Sequence, residues 1–359
     1  MHEEPSGVWI MAYTTIDDPS DYFSTILYTG DGSGSLVISG VGFQPDFSWI
    51  KERSSTSGHH LFNSSIGYDK ALASDSSNGD SSQNMAVASD GYTLGSSGGF
   101  NEDTQTYVGW NWLANGGTTT AVSASGDVQA STYQANTTAG FSILTWEGTG
   151  ENKQITHGLG KQADWIMVKN RSQTDSWAVW SYARANQSAS ASFILDTDAA
   201  SSATPNPFDG NLGTASIFWI NGGDHEVNAD GENYAAYAWT DIQGYSKFGL
   251  YLGNGNVDGP FIYTGFKPAY VLIKKSSATG SWYVLDHKRN TYNPLDLYLQ
   301  PDITDADTGS GTAQADFLSN GFKIRVASGT PNLDGGTFIY MAFAENPFVT
   351  SGGVPCTAR

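Results

Sequence analysis

The sequence has little positive charge and almost no cysteine. Lysine and arginine together number 17, against 36 aspartate and glutamate residues, which gives a formal net charge of −19. A surface that binds nucleic acid needs clustered lysine and arginine to displace condensed counterions, so this charge argues against a nucleic-acid partner. The single cysteine, Cys356, excludes an intramolecular disulfide and a paired-cysteine metal site.

Long apolar segments are also missing. No apolar run reaches the roughly 18 residues of a membrane-spanning helix, so we expect no membrane insertion. The N-terminus lacks the basic start and apolar stretch of a signal peptide, and Met11 resembles a natural start, which would make residues 1–10 an upstream extension. What is abundant is glycine, with 42 residues, and aromatic side chains, at 13%. This composition is typical of an all-β protein with many turns.

A block of 36 residues occurs three times without a gap, starting at Tyr28, Trp146 and Tyr251. Each copy opens on its aromatic residue and continues through a Gly-x-Gly turn to a third glycine. An apolar run follows and ends on a lysine, which is Lys51, Lys169 or Lys274. Two aromatic residues three positions apart close each copy, at Tyr107/Trp110, Tyr234/Tyr237 and Tyr340/Phe343.

The repeats are spaced by 118 and 105 residues, which is the size of a domain rather than of a solenoid repeat. We therefore expect an all-β protein made of three tandem homologous β-sandwich or jelly-roll-like domains. The expected bounds are an extended N-terminal arm at 1–27, then domains at 28–140, 141–245 and 246–359, the last with a C-terminal tail. The apolar runs at 46–51, 164–169 and 269–274 predict a strand that is buried on both faces.

Few side chains form a catalytic pattern. The Gly-x-Gly turns are followed by a β-like segment instead of a helix, which argues against a phosphate loop. His59 and His60 fall at packing positions of the repeat. His225 lies between Asp224 and Glu226, where a metal or acid–base role is conceivable, but the other copies have no match.

Three further groups have both a structural and a functional interpretation. Asp46 and Asp164 match each other and favour turn chemistry over paired catalytic carboxylates, since the third copy has an alanine. Asp302, Asp305, Asp307 and Gly309 resemble part of a calcium loop, although a solvated acidic loop is favoured. The recurring lysines favour protection of a strand edge over a shared ligand contact. We expect no enzyme activity, no catalytic residue, no cofactor and no metal.

The segment before the first repeat is too apolar for a free tail. It carries Trp9, Tyr13, Ile16, Tyr22 and Phe23, and Pro19 suits an extended conformation. Burying such side chains against another protein would favour binding. We therefore expect these five residues to attach the chain to a partner, unless the arm packs on its own first domain.

Three long strings carry a resemblance to a known family. They are MAYTTIDDPSDYF from Met11, GYSKFGLYLGNGNVDGPFIYTGFKPAYVLIKKS from Gly244, and the C-terminal FIYMAFAENPFVTSGGVPCTAR. Together they resemble virion structural, tail-fibre-like proteins of marine tailed bacteriophages, a family without assigned catalytic residues. The resemblance implies a protein of the virion exterior that is assembled in the cytoplasm of a bacterial host.

This reading predicts a tail or fibre component that takes part in host attachment. Its expected partners are other virion proteins, further copies of the chain in a trimer, and a host surface glycan. One alternative is a capsid decoration protein, and another is a secreted glycan-binding lectin or glycan hydrolase. Assembly symmetry separates the first two, because fibres are usually trimers whereas decoration follows the capsid lattice.

Overall fold

The computed structural model describes residues 12–96, 99–187, 192–202, 206–309, 311–327 and 329–357. Nearly all regular structure in these ranges is antiparallel β-strand, so the expected all-β class is confirmed. Helical structure within the ranges is limited to the 3-10 turn Pro19–Asp21 and two short helices, α1 (Tyr182–Ala185) and α2 (His225–Asn228). No helix in the described part of the chain is long and apolar enough to cross a membrane.

The strands fall into three consecutive groups, which we call unit 1, unit 2 and unit 3. Unit 1 contains β1 (Phe23–Thr29), β2 (Leu36–Ser39), β3 (Phe47–Glu52), β4 (His59–Asn63), β5 (Gly67–Leu72), β6 (Ser81–Ser82), β7 (Met85–Ala88), β8 (Gly91–Leu94) and β9 (Thr106–Trp112). Unit 2 contains β10 (Thr120–Val122), β11 (Ser131–Asn136), β12 (Phe141–Glu147), β13 (Lys153–Thr156), β14 (Trp165–Asn170), β15 (Ala178–Ser181), β16 (Ser192–Ile194), β17 (Ile217–Ile220) and β18 (Asn233–Trp239). Unit 3 contains β19 (Ser246–Leu252), β20 (Phe261–Tyr263), β21 (Phe266–Lys275), β22 (Tyr283–Asp286), β23 (Leu297–Tyr298), β24 (Thr308–Gly309), β25 (Ala315–Leu318), β26 (Gly321–Ile324) and β27 (Thr337–Pro347).

Each unit is built from a main sheet and a small sheet. The main sheets contain the same neighbour order, β1-β9-β3-β4, β12-β18-β14-β15 and β19-β27-β21-β22. The small sheets, β2-β8-β7, β13-β17 and β20-β26-β25, cover one face of each main sheet and enclose an apolar cluster with it. Every unit is therefore a two-layer sandwich, and β3, β14 and β21 are buried along their whole length, as their apolar runs predict.

The other faces of the three main sheets meet in a single shared core. Its members come from all three units, and Phe47 of unit 1, for example, lies 4.3 Å from the Tyr237 ring of unit 2 between centroids. Phe23 of unit 1 stacks on Phe343 of unit 3 at 5.1 Å. Because the largest cluster is common to the three units, they form one body around a central core rather than three domains joined by linkers.

The contacts between units close into a ring of three seams. At each seam a ring nitrogen faces a backbone carbonyl oxygen of the preceding unit at 2.8–3.1 Å, in the pairs Trp177–Ala73, Trp282–Ile194 and His59–Gln300. Backbone hydrogen bonds repeat the arrangement, from the N–H groups of Asp175, Gly280 and Ser57 to the carbonyl oxygens of Ser77, Asp198 and Thr304. Equivalent residues thus make equivalent contacts at seams 1–2, 2–3 and 3–1, which gives a single chain with quasi-threefold symmetry.

Two of the expected boundaries differ from the structure. Strand β1 begins at Phe23, so residues 23–27 belong to the main sheet of unit 1 and not to the N-terminal arm. Strands β10 and β11 were expected in the domain at 28–140, but they extend the sheet of unit 2 by pairing with β12. The repeat landmarks start at an aromatic residue within the first strand, which hid the first part of that strand.

The aromatic pair that closes the third copy also lies two residues away from its predicted position. The opening aromatic of each copy stacks on its cross-strand partner with an interplanar angle of 13°, in the pairs Tyr28–Tyr107, Trp146–Tyr234 and Tyr251–Phe338. The third block is therefore Phe338/Met341 and not Tyr340/Phe343. A shift of two residues keeps the same face of a strand, so the aromatic pattern by itself did not fix the register.

Candidate functional site

The recurring lysines lie inside the protein, at one end of the central core. Lys51, Lys169 and Lys274 are all 0% exposed and belong to strands in the interior of their sheets. The expectation that they protect a strand edge is therefore wrong. The Lys169 ammonium donates to the carbonyl oxygens of Ser77, Asn170 and Asp175 at 2.8–2.9 Å.

The same pattern recurs with fewer partners in the other two units. Lys51 donates to Glu52 O at 2.6 Å, and Lys274 donates to Gly280 O at 2.6 Å. Lys274 also lies 5.6 Å from the centre of the Trp282 ring. Burial lowers the pKa of each of the three lysines to about 8, with nearby carboxylates opposing the shift. Backbone carbonyls therefore hold all three ammonium groups, and the Lys169 ammonium also cross-links units 1 and 2 through Ser77 O.

The buried histidines of unit 1 serve packing, as expected. Trp49 Nε1 donates to His59 Nδ1 at 2.9 Å, which leaves His59 Nε2 as the donor toward Gln300 O. Burial places the pKa of His59 well below its usual value and lowers the pKa of His60 to about 4. Both rings are therefore neutral near pH 7 and take part in the fold.

The acidic segment near residue 305 belongs to seam 3–1. Asp302 accepts a hydrogen bond from Trp282 N at 3.0 Å, while Asp307 pairs with Arg53 and Arg289 at 2.7 Å each. Asp302 is buried and Asp307 is part-buried in separate contacts, whereas Asp305 is exposed, so only part of this segment is the solvated acidic loop that the sequence favoured. Their carboxylates do not converge as calcium ligands would.

The Gly-x-Gly turns have a structural reason that repeats in all three units. A Cβ on the first glycine would lie 2.0–2.2 Å from a backbone carbonyl oxygen, and the second glycine has φ between 61° and 69°. These are positions where only glycine fits without strain. The pairs are Gly30/Gly32, Gly148/Gly150 and Gly253/Gly255.

A buried asparagine that sequence reasoning missed clamps each of these turns. Asn228 accepts a hydrogen bond from Thr149 N at 3.1 Å and donates to Glu151 O at 2.5 Å. Asn101 and Asn332 make the same pair of contacts in units 1 and 3, and all three are 0% exposed. The signal was present as a repeated Asn-x-Asp motif at 101–103, 228–230 and 332–334.

The matched aspartates anchor the chain where it passes from one unit to the next. The buried Asp46 carboxylate accepts from Ser64 Oγ and from the N–H groups of Ala114, Gly116 and Gly117, each at 2.8 Å. In unit 2, Asp164 accepts from Asp241 N at 2.7 Å and from Thr240 Oγ1 at 3.1 Å. Structural turn chemistry thus accounts for both carboxylates.

His225 is exposed at the start of α2, and its environment is acidic. Asp224 caps the helix by accepting from Glu226 N at 2.9 Å. Burial and then Asp224 raise the pKa of Glu226 to about 7. Within the described residues, no three histidine, cysteine, aspartate or glutamate side chains are placed to hold a metal ion.

A surface groove of about 600 Å³, with a lining of mixed polar and apolar groups, lies on unit 2. It lies beside the clamped turn of this unit. Gln129, Thr149, Glu151, Lys153 and Asp230 contribute its polar side chains. Strands β10 and β11 lead into this side of unit 2, and the described residues before β1 and β19 form no such strands. The groove offers carboxylate and ammonium groups to a ligand, since the Gln129 amide already bonds to Glu147 O, Asn228 and Thr149.

The described residues of the N-terminal arm contact their own chain. Tyr13 donates its hydroxyl to Gly265 O at 2.7 Å, and Tyr22 packs edge-on against Tyr245 at 6.0 Å. Ile16 and Phe23 are 2% and 3% exposed in the central core. Intramolecular packing on units 2 and 3 therefore accounts for four of the five expected attachment residues. The fifth, Trp9, lies outside the described residues.

The comparisons with known proteins fit the picture of one integrated body. No curated protein and no solved structure matches the chain. A family described as a domain of unknown function, DUF7483, matches residues 18–347, a single span that takes in all three units. Because this match covers most of its length, the chain belongs to the DUF7483 family.

Proposed function

We propose that the protein is a non-enzymatic structural component of a virion exterior, part of the tail or fibre apparatus for host attachment. The closed ring of three units is the observation that carries the proposal. The groups that recur in all units, the lysines and the clamping asparagines, are used in internal hydrogen bonds. The recurring groups stabilise the interior of the protein, and the described residues show no polar constellation that all three units share at the surface. Both observations favour a structural role over catalysis. The resemblance to tail-fibre-like proteins supports a location on the tail or its fibres.

The test is the position of the chain on purified particles. Antibodies raised against the full chain should label the tail or its fibres in electron micrographs, and mass spectrometry should find the chain in the particles. Absence of the chain from purified particles would refute the proposal. Reproducible turnover of a polysaccharide by the purified chain would refute its non-enzymatic part.

A capsid decoration role is the second candidate, and the quasi-threefold symmetry favours it. A chain with three equivalent sides can occupy a threefold position of a lattice that ordinarily needs three subunits. Labelling of the head instead of the tail would select this alternative. The expected trimer is tested separately by light scattering, because a single chain already provides three equivalent units.

Glycan binding is the third candidate, and the groove on unit 2 favours it. Sugar hydroxyls pair with carboxylate groups of the kind that Glu151 and Asp230 offer there. A glycan array should then show binding by the wild type that Asp230→Ala reduces. Asp334→Ala is the matched control, since Asp334 occupies the equivalent turn of unit 3. Equal loss in both variants, or no binding, would count against a glycan site in this groove.

A further inference from the structure

A cavity of about 210 Å³ opens at seam 3–1, between the first strand of unit 1 and the sheet of unit 3. Thr25, Ala269, His287, Lys288 and Glu345 are among the residues that line it. We propose that this cavity binds a small carboxylate, either a short carboxylic acid or the carboxylate end of a longer molecule. The inference does not depend on where the protein functions.

In units 1 and 2, an aspartate side chain fills the position that corresponds to this cavity. Asp46, Asp164 and Ala269 each precede the buried central strand of their unit. The carbonyl oxygen of each accepts a backbone hydrogen bond at 2.9 Å, in turn from Ser64, Tyr182 and His287. These identical bonds place the three residues at equivalent positions, and only unit 3 lacks a carboxylate there.

Two of the four groups that hold the Asp46 carboxylate have counterparts that line the cavity in unit 3. The other two, the N–H groups of Gly116 and Gly117, correspond to Pro347, which has no N–H, and to Phe348, whose N–H donates to Gly265 O. In unit 1, Asp46 is held by the hydroxyl of Ser64 and the backbone N–H of Ala114. The register of the repeat makes His287 and Glu345 the counterparts of these two residues, and both line the cavity. A ligand carboxylate in this space would therefore occupy the position that the Asp46 and Asp164 side chains take in their own units.

A second substitution enlarges the space and adds an unused hydroxyl. Thr25 stands where units 2 and 3 have Ile143 and Phe248, which pack into the central core. It is 5% exposed, and its Oγ1 has no hydrogen-bond partner among the described residues. A buried hydroxyl without a partner is costly, so a ligand that accepts its hydrogen bond is favoured.

The charges at the cavity favour an anion. Glu345 is paired with Lys267 at 3.2 Å, so its charge is compensated within unit 3. Lys288 makes no ion pair among the described residues. The volume is below the roughly 300–1,000 Å³ that is usual for drug-sized ligands, which limits the bound group to a small one.

The test measures the response of the full chain to acetate and propionate, with chloride and phosphate at equal ionic strength as comparisons. We expect both carboxylates to raise the unfolding temperature and to shift NMR signals of cavity residues, and phosphate to do so less. Ala269→Asp supplies the missing carboxylate from the chain itself. It should weaken acetate binding at least about tenfold, since it fills the site with a competing charge.

Two further variants keep the result decisive. Thr25→Ile inserts the residue found in unit 2 and should also abolish the acetate response by filling the cavity, so it decides the matter if Ala269→Asp fails to fold. Ala86→Asp adds the same charge to an exposed strand and should respond like the wild type. No response beyond chloride, an equal response to phosphate, or unchanged acetate binding in Thr25→Ile would overturn the proposal.

Discussion

The three buried lysines should make the protein more stable as the pH rises from 7 to about 9. Lowering the pKa of a lysine from 10.5 to about 8 makes its charged form less favourable in the folded state. At 1.36 kcal/mol per pKa unit, this corresponds to about 3 kcal/mol for each side chain. Between pH 8 and 10.5 the unfolded state binds more protons than the folded state, so the free energy of unfolding increases with pH.

Other groups reduce this gain in stability, because their pKa values are raised in the folded state and they destabilise it as the pH rises. Burial raises the pKa of Cys356 above 9.0, and the buried tyrosines such as Tyr270 resist ionisation above about pH 10. Measurements in a Cys356→Ser background between pH 7 and 9 avoid both. Structural relaxation around a charged amine reduces the full value, so we expect a gain of about 2 kcal/mol or more across this interval.

Urea unfolding at each pH measures the gain, and two lysine variants assign it. Lys274→Met removes one of the two lysines whose ammonium has a single carbonyl acceptor, and it should reduce the slope by about a third, since three lysines contribute. Lys161→Met replaces an exposed lysine and should leave the slope unchanged. A flat or falling stability between pH 7 and 9, or an unchanged slope in Lys274→Met, would refute the reasoning.

Three other predictions concern the turns and the seams. Gly30→Ala should lower the free energy of unfolding by several kcal/mol, because its Cβ would lie 2.2 Å from Glu102 O, whereas Gly34→Ala, with open space around its Cβ, should change it by less than about 0.5 kcal/mol. Asn228→Ala should cost about 2–4 kcal/mol in chemical unfolding, because buried backbone groups of the clamped turn lose their partners; a cost as small as that of an exposed asparagine would contradict the clamp. Arg171→Met should lower the free energy of unfolding by about 1–3 kcal/mol, since it leaves the part-buried Asp80 at seam 1–2 without the two hydrogen bonds that Arg171 donates. A double-mutant cycle with Asp80→Ala measures the coupling between the two side chains.

The elements that sequence could predict are those set by local patterns. The apolar runs that became β3, β14 and β21 are buried throughout, and the Gly-x-Gly turns are real turns with a left-handed second glycine. Alternation, apolar runs and glycine turn chemistry are local properties, so they can be recognised without knowing the fold.

The candidate site was harder to predict because it depends on how the units meet. The sequence favours an exposed strand edge for Lys51, since lysine is rarely fully buried without a partner. Its acceptor is a backbone carbonyl, and its neighbours come from a unit more than 200 residues away, as the contact of His59 with Gln300 shows. Every residue has a backbone carbonyl, so the sequence does not show which one accepts the hydrogen bond of a buried lysine.

The covalent joining of the three units has a consequence that a trimer of identical chains would not share. In a homotrimer any substitution appears at all three seams, whereas here each seam can change alone. Asp46 and Asp164 hold a connecting segment at the two seams that the chain crosses to reach the next unit. Within the described residues no segment of the chain runs from unit 3 on into unit 1, so that constraint is absent at seam 3–1, and Ala269 and Thr25 stand there in place of larger side chains. Seam 3–1, which holds no segment that connects one unit to the next, is therefore the seam where the fold leaves an internal space for a ligand.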